Sequence, residues 1–410
     1  MGRVVIVGAG HAGGSAAALL RQFGWAGEIV LIGEEPTPPY QRPPLSKAFL
    51  KGETDADSLK LKADDFYPEH DIDLRTGVRV EGIDAGRRQV VPRTGEPIDY
   101  DVLILATGSA ARALPIPGVG LVGVQALRSL ADAQAIGAAL APGRRLAVVG
   151  AGYVGLEVAA SARALGAEVV VVERESRVLA RVAAEPLSRF FEARHRAHDV
   201  EVLTGAQAHA FEDDGAGRVA ALVLADCRRV ACDVAVVGVG AAACDTLAVS
   251  AGLQCEGGVI VDETARSSDP AIYAIGDVSL RPMPLYGERR FRLESVPNAL
   301  EQAKQAAAAI TGRPAPPPEV PWFWSDQYDL KLQIAGVPFD SDRLVVRGDM
   351  DSGRFALFHL APDGRLLCVE ACNSPAEFMG GRQLIARRAR PDPARLADPE
   401  VSMKLLAEAT

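Results

Sequence analysis

Val4-Val5-Ile6-Val7-Gly8-Ala9-Gly10-His11-Ala12-Gly13 lies near the start of this 410-residue chain, and Leu146-Ala147-Val148-Val149-Gly150-Ala151-Gly152-Tyr153-Val154-Gly155 repeats its pattern. Each stretch opens as a run of buried-strand residues and continues into an alanine-rich helical segment, 15–20 or 156–165. Each then meets a second β-branched run, 29–32 or 169–172, that ends in carboxylates: Glu34 and Glu35 in the first, Glu173 in the second. In such a strand–turn–helix unit the first glycine makes the tight turn and the second lets a pyrophosphate approach the backbone. The third allows close helix–strand packing, while the helix N-terminus holds phosphate and the acid accepts from the adenosine ribose. Glu34 follows Gly13 by 21 residues and Glu173 follows Gly155 by 18, near the roughly 20 that the motif asks for. One such fingerprint is also compatible with an ordinary glycine turn. Two, each in full context, point to two bound dinucleotides.

Composition narrows the class. At 410 residues the chain is too long for one core, so two or three domains are expected. With 48% apolar and 24% charged residues it reads as a soluble globular protein. A net charge of −9 argues against a general nucleic-acid binder. The chain enters a core strand at Arg3, which leaves no room for a targeting peptide, and no stretch approaches the roughly 20 apolar residues of a membrane span. A cytoplasmic location is expected. The six cysteines, at 227, 232, 244, 255, 368 and 372, form no CxxC and are expected to be reduced structural thiols. Cys368 and Cys372 have no His or further Cys close by, so no metal site is expected. Without a redox pair there is no disulfide-exchange step, and electrons must leave another way.

The expected architecture is α/β, with two Rossmann-like dinucleotide-binding domains and a small C-terminal α/β domain. Residues 1–111 and 237–318 would form the first nucleotide domain, with 112–236 inserted as the second and 319–410 as the third. The return to the first domain is marked by Ala271-Ile272-Tyr273-Ala274-Ile275-Gly276-Asp277, a short buried strand ending in Gly-Asp before a helix near residue 296. Five prolines in the eleven residues 311–321 mark the last boundary.

Further motifs carry a resemblance: Arg42-Pro43-Pro44-Leu45-Ser46-Lys47, Ala106-Thr107-Gly108, Tyr273-Ala274-Ile275-Gly276-Asp277, Glu294-Ser295-Val296-Pro297-Asn298-Ala299 and Pro321-Trp322-Phe323-Trp324-Ser325-Asp326-Gln327-Tyr328. Along nearly its full length the chain resembles the FAD-dependent, NADH-oxidising ferredoxin reductases of bacterial oxygenase systems, the putidaredoxin reductase and biphenyl-dioxygenase ferredoxin reductase family. The resemblance implies non-covalent FAD, with Gly8, Gly10, Ala12 and Gly13 at its pyrophosphate and Glu34 on its ribose. Arg42 and Lys47 would lie near its phosphates and ring, Val80 would meet the adenine through its backbone, and Thr107, Gly108 and Arg128 would complete the cradle. Asp277 would bind the ribityl chain, and Val296, at a helix N-terminus, would address the pyrimidine edge. Trp322 and Trp324 read alone as core aromatics; the resemblance implies that one of them, Trp324 ahead of Trp322, covers the flavin face. Alone, Asp277 reads equally as a helix cap, Lys47 as a surface lysine, and Glu157 as a helix-start carboxylate; the resemblance pairs Glu157 with Lys47 near the nicotinamide.

NADH is expected at Gly150, Gly152, Tyr153, Val154, Gly155, Glu157, Glu173 and Gly240. Glu173 would repel a 2′-phosphate, although Arg174 or Arg177 leaves an NADPH reading open. One departure stands out: Ala241-Ala242-Ala243-Cys244 replaces the family's usual Pro-Asn pair. No residue is expected to act as nucleophile or general base, because a flavin can accept a hydride and release electrons singly. The expected acceptor is a small acidic [2Fe-2S] ferredoxin that supplies a haem monooxygenase or Rieske dioxygenase. It would dock on Arg281, Arg289, Arg290, Arg292, Lys304, Arg387 and Arg388. A rubredoxin or nitrite-reductase donor remains open, as does an NADH-sensing flavoprotein resembling apoptosis-inducing factor.

Overall fold

The computed structural model describes residues 2–314 and 316–408. Its packing divides the chain into two compact units, one of residues 1–41, 59–110 and 242–323, the other of residues 42–58, 111–241 and 324–410. By packing, residues 42–58 belong with the second unit, where sequence alone assigned them to the first nucleotide domain.

The first unit is built on a five-stranded parallel sheet. Arg3–Val7 is central, with Glu28–Ile32 and then Ile72–Arg75 on one side, and Val102–Leu105 and then Ile272–Ala274 on the other. Val4, Val5 and Ile6 are fully buried, because helices cover one face and a second apolar cluster covers the other. A strand buried on both faces reads as a continuous apolar run, which is why the sequence announces it. The helices His11–Gln22 and Val296–Ile310 lie together against one face and are joined by alanines (Ala16, Ala17, Ala303, Ala306, Ala307) that let their backbones approach. A three-stranded antiparallel meander, Val80–Asp84, Gln89–Pro92 and Ile98–Asp99, leads into the return strand Val102–Leu105.

The second unit repeats this plan. Arg145–Val149 is central, flanked by Glu168–Val172 and Val200–Leu203, and by Val234–Val237 and Val124–Gln125. The meander Ala208–Asp213, Val219–Leu224, Arg229–Ala231 again precedes the return strand. The outermost strand differs in origin. In the first unit it follows the return strand in sequence, whereas in the second it precedes the fingerprint. The unit also holds an antiparallel sheet with the order Trp322–Gln327, Leu330–Gly336, Leu366–Cys372, Arg354–Leu360, Arg343–Asp349, covered by the helix Pro375–Ala386.

Among the described residues no helix is long and apolar enough to cross a membrane, and no cluster of three metal-ligating side chains occurs. All six cysteines are free, and burial pushes the thiols of Cys232 and Cys372 up to about 11 and about 12.

Candidate functional site

In the first unit the three glycines of the fingerprint meet three different surroundings. Gly8 has φ +112°, and a Cβ there would lie 2.1 Å from Ala106 O. A Cβ on Gly13 would lie 1.9 Å from Gly8 O, so this glycine seats the helix on the turn. At Gly10 a Cβ would meet nothing within 4 Å. The first two are needed by the fold itself. Gly10 is not, and its open side faces what the backbone leaves free. The helix His11–Gln22 starts there with no side-chain cap and no acidic residue in its first turn, so its amino end keeps donors for an anion. His11 Nδ1 and Thr37 Oγ1, both buried, have no partner among the described residues, as expected where a polar ligand supplies one. These features fit a dinucleotide pyrophosphate. Glu34 is exposed and pairs with Arg79 at 2.9 Å, while Glu35 accepts from Tyr40 Oη at 2.6 Å. Val80 begins the meander, where its backbone pairs opposite Pro92.

At the far side of the same sheet, Thr107 and Gly108 follow the return strand. Thr107 Oγ1 donates to Cys244 O at 2.7 Å, and Cys244 N–H donates to Gly108 O at 3.0 Å. The loop without Pro-Asn is therefore still tied to this corner. Asp277 sits in the 3-10 turn Gly276–Val278, and its carboxylate accepts from Ser109 Oγ at 2.8 Å. Ser109 escaped the sequence reading; a serine after Ala-Thr-Gly carries no signal until its partner, far along the chain, is known. The helix Val296–Ile310 begins with Ser295 as N-cap, whose oxygen accepts from Asn298 N–H. Since Pro297 has no N–H, Val296 carries the one backbone donor of this first turn for which the described residues provide no partner.

One expected docking residue is misplaced by the sequence reading. Arg281 is 3% exposed, bonded to Glu301 and Asn298, and cannot meet another protein. Arg292 is half-buried and pairs with Glu294. Arg289, Arg290 and Lys304 are exposed in this unit, and Arg387 and Arg388 in the other.

The second unit repeats the glycine geometry. Gly150 has φ +103° with Gly238 O 2.4 Å from its virtual Cβ, Gly155 has Gly150 O at 2.2 Å, and Gly152 has nothing within 4 Å. The acid behaves differently from its counterpart. Val172 stands opposite Val149 as Ile32 stands opposite Val7, so Glu173 occupies the place of Gly33, and Glu34 sits one residue further out. Glu173 therefore reaches the glycine loop: Oε2 accepts from Ala151 N–H at 2.7 Å and Oε1 from Glu175 N–H at 2.8 Å. Arg177 is turned inward, donating to Ala180 O, Ala183 O and Ser188, and Arg174 pairs with Glu175 at 2.9 Å. Tyr153 and the exposed Val154 open the helix Tyr153–Ala164. Gly240, with φ +108°, lies beside the Arg181 guanidinium, 3.6 Å from its virtual Cβ.

The same unit brings Lys47 and Glu157 together, with Nζ 2.7 Å from Oε2. Glu157 is buried and also accepts from Ser46 Oγ at 2.5 Å and Ser325 Oγ at 2.7 Å. From Ser325 a buried chain continues through Gln327 Nε2 at 3.1 Å to His195 Nε2 on Gln327 Oε1 at 2.8 Å, and ends at Tyr328 Oη on His195 Nδ1 at 3.0 Å. Every donor in it points toward the Glu157 carboxylate. Burial pushes His195 down to about 4, so it is neutral, with its proton on Nε2. Arg42 donates to Arg128 O at 2.7 Å, and Trp324 is half-buried.

Residues 2–303 match the pyridine nucleotide-disulphide oxidoreductase family, and residues 322–407 match the reductase C-terminal family. A probable ferredoxin reductase of Castellaniella defragrans is 52% identical over 405 residues, 99% of this chain and 98% of that protein. Putidaredoxin reductase of Pseudomonas putida is 41% identical, over 98% of this chain and 96% of its own. The reductase in the crystal structure of a covalent putidaredoxin reductase–putidaredoxin complex superposes with a TM-score of 0.97 at 40% identity, covering 100% of this chain and 98% of that one. The chain therefore belongs to the pyridine nucleotide-disulphide oxidoreductase family and, within it, to the putidaredoxin reductase-like ferredoxin reductases, oxidoreductases that use FAD and NAD(H).

Proposed function

We propose that this chain is a cytoplasmic NADH-dependent reductase of a small acidic [2Fe-2S] ferredoxin that serves a haem monooxygenase or Rieske dioxygenase. The observation that carries the reading is the paired glycine geometry: of the six fingerprint glycines, Gly10 and Gly152 face open space, each beside an uncapped helix end. FAD takes the first of these cradles and NADH the second. When bound, FAD accepts a hydride and passes electrons on singly, so one NADH and two oxidised ferredoxins give NAD+, two reduced ferredoxins and a proton.

The protein's own residues bind, orient and select. Gly8, Gly10, Ala12 and Gly13 admit the FAD pyrophosphate, Glu34 reaches its ribose, and Val80 offers backbone to the adenine. Thr107, Gly108 and Asp277, the last held by Ser109, take the ribityl side, and the free Val296 N–H faces the pyrimidine edge with the helix dipole behind it. By the family resemblance, Arg42, Arg128 and Trp324 are further candidates for contact with FAD. Gly150, Gly152, Tyr153, Val154, Gly155 and Gly240 receive NADH, with Lys47 and Glu157 near its nicotinamide. Glu173, held by two backbone donors, presents its remaining lone pairs to the ribose hydroxyls and repels a 2′-phosphate, while Arg177 is turned away. The exposed docking candidates are Arg289, Arg290 and Lys304 in the first unit and Arg387 and Arg388 in the second.

Acid precipitation of the purified protein should release FAD into the supernatant, and kcat/KM for NADH should exceed that for NADPH by at least about tenfold, a 1.4 kcal/mol preference. In E173A the gap should narrow. FMN in the supernatant, flavin retained in the pellet, or equal use of both donors would overturn the reading.

A further inference from the structure

Arg281 lies in the strand Ser279–Pro282 of the first unit, and both of its terminal nitrogens donate to Glu301, at 2.9 and 3.0 Å. Nη1 also donates to Asn298 Oδ1 at 3.0 Å. With that oxygen occupied, the Asn298 amide nitrogen is turned the other way and donates to Leu293 O at 2.9 Å and Gln302 Oε1 at 3.2 Å. Gln302 is fully buried, and the same oxygen accepts from Gly276 N–H at 2.9 Å and Ser279 Oγ at 2.7 Å. Gly276 immediately precedes Asp277. One chain of contacts thus runs from a buried guanidinium to the turn that carries Asp277 and to the first turn of the helix that carries Val296.

An ion pair this deep brings little net stability over apolar residues of similar shape. Its distinct contribution is direction. An amide side chain can be turned over to exchange its donor and acceptor ends, whereas a guanidinium has only donors and so fixes which end of Asn298 faces it.

We propose that Arg281 is a positioning residue for the flavin, acting through Asn298 and Gln302 to set the Gly276–Asp277 turn and the Val296 N–H. The proposal rests on FAD occupying the first unit. Without Arg281, Asn298 Oδ1 loses its donor and the amide is held at its nitrogen end alone, by Leu293 O and Gln302 Oε1, so both flavin-facing groups loosen. A helix amino end favours negative charge, so the reduced, anionic flavin loses more binding than the oxidised form.

The test uses holoenzyme of the wild type, R281M, R281K and R281M/E301L, comparing midpoint potential by dye equilibration, flavin lost on dilution, and melting temperature. R281M should bind FAD at least tenfold more weakly. Its potential should fall by about 30 mV, the equivalent of a tenfold change in the ratio of reduced to oxidised binding for two electrons. R281K, which still donates, should recover part of both effects. R281M/E301L, which leaves no unpaired buried carboxylate, should regain the melting temperature but not the potential. If the potential returns with the melting temperature in the double variant, or if R281M moves only the melting temperature, Arg281 is merely structural and the proposal fails. Should R281M not fold, N298L keeps the ion pair and should show the same fall in potential; an unchanged potential there also refutes the proposal. A wild-type protein that holds no FAD would sink the flavin reading itself.

Discussion

Among single residues, Gly10 and Gly13 differ most sharply in what an added methyl would do. At Gly13 it would sit 1.9 Å from a backbone oxygen that cannot move without opening the turn, whereas at Gly10 it would enter free space. G13A should therefore unfold at markedly lower temperature, a destabilisation of about 1–3 kcal/mol or more in line with overpacking. G10A should melt within a few degrees of wild-type apoprotein yet lose FAD. The pair G155A and G152A should divide in the same way, the second raising the KM for NADH while flavin content stays intact. Flavin retention in G10A, measured by absorbance of the purified protein, would contradict the assignment of the open side to the pyrophosphate. These glycines were legible in the sequence because turn, close approach and helix seating are all local demands. Ser109 on Asp277, and Ser46 with Ser325 on Glu157, were not, since their partners lie 111 to 168 residues away.

Two further predictions belong to the scale of elements. The helix Glu185–Ala197 is tied to the turn after Trp322–Gln327 by His195, held by Gln327 and Tyr328. The buried ring titrates at about 4 when folded, against the ordinary histidine value of 6.5 when unfolded, so between these pH values the unfolded chain binds the extra proton. Stability is thus full above about pH 6.5 and falls as pH drops toward 4, by on the order of 3 kcal/mol. Denaturant unfolding of H195N should show a flatter pH dependence across that window; the same slope as wild type would refute the assignment. The strand Arg343–Asp349 carries the second device. Arg347, buried, donates to Glu377 and to the carbonyls of Leu396, Asp398, Pro399 and Val401, pinning the C-terminal segment. R347M should cost about 3–5 kcal/mol and make the 393–408 segment protease-sensitive, with NADH:ferricyanide activity per bound flavin close to wild type. The inner strands of both parallel sheets were readable as unbroken apolar runs, whereas Ile72–Arg75, Val200–Leu203 and Val124–Gln125, short or interrupted by polar residues, were not. Arg347 was not, because in an alternating strand an inward arginine looks like an outward one until its carbonyl partners are known. Arg281 misled for the same reason: clustered with Arg289, Arg290 and Arg292 in sequence, it reads as surface charge, although Glu301 and Asn298 on one helix provide it with a buried socket.

For the whole molecule, function turns on where electrons go after the flavin. With a net charge of −9, a cationic docking surface must be local; of the cations proposed for it, Arg289, Arg290 and Lys304 are exposed in the first unit and Arg387 and Arg388 in the second, whereas Arg281 is buried. Steering between such a surface and an acidic partner weakens as salt shortens the Debye length, about 8 Å at 0.15 M. Ferricyanide, a small oxidant with no surface to dock, lacks that dependence on oriented encounter. The measurement is NADH-driven reduction of cytochrome c, with and without an acidic [2Fe-2S] ferredoxin, at low and high salt, beside ferricyanide reduction by the same samples. Cytochrome c reduction should require the ferredoxin and fall steeply with salt, ferricyanide reduction should hardly change, and charge reversal at Arg290 or Arg388 should reproduce the fall at low salt. Ferredoxin-independent reduction of cytochrome c, or equal responses of both activities to salt and to these substitutions, would contradict it.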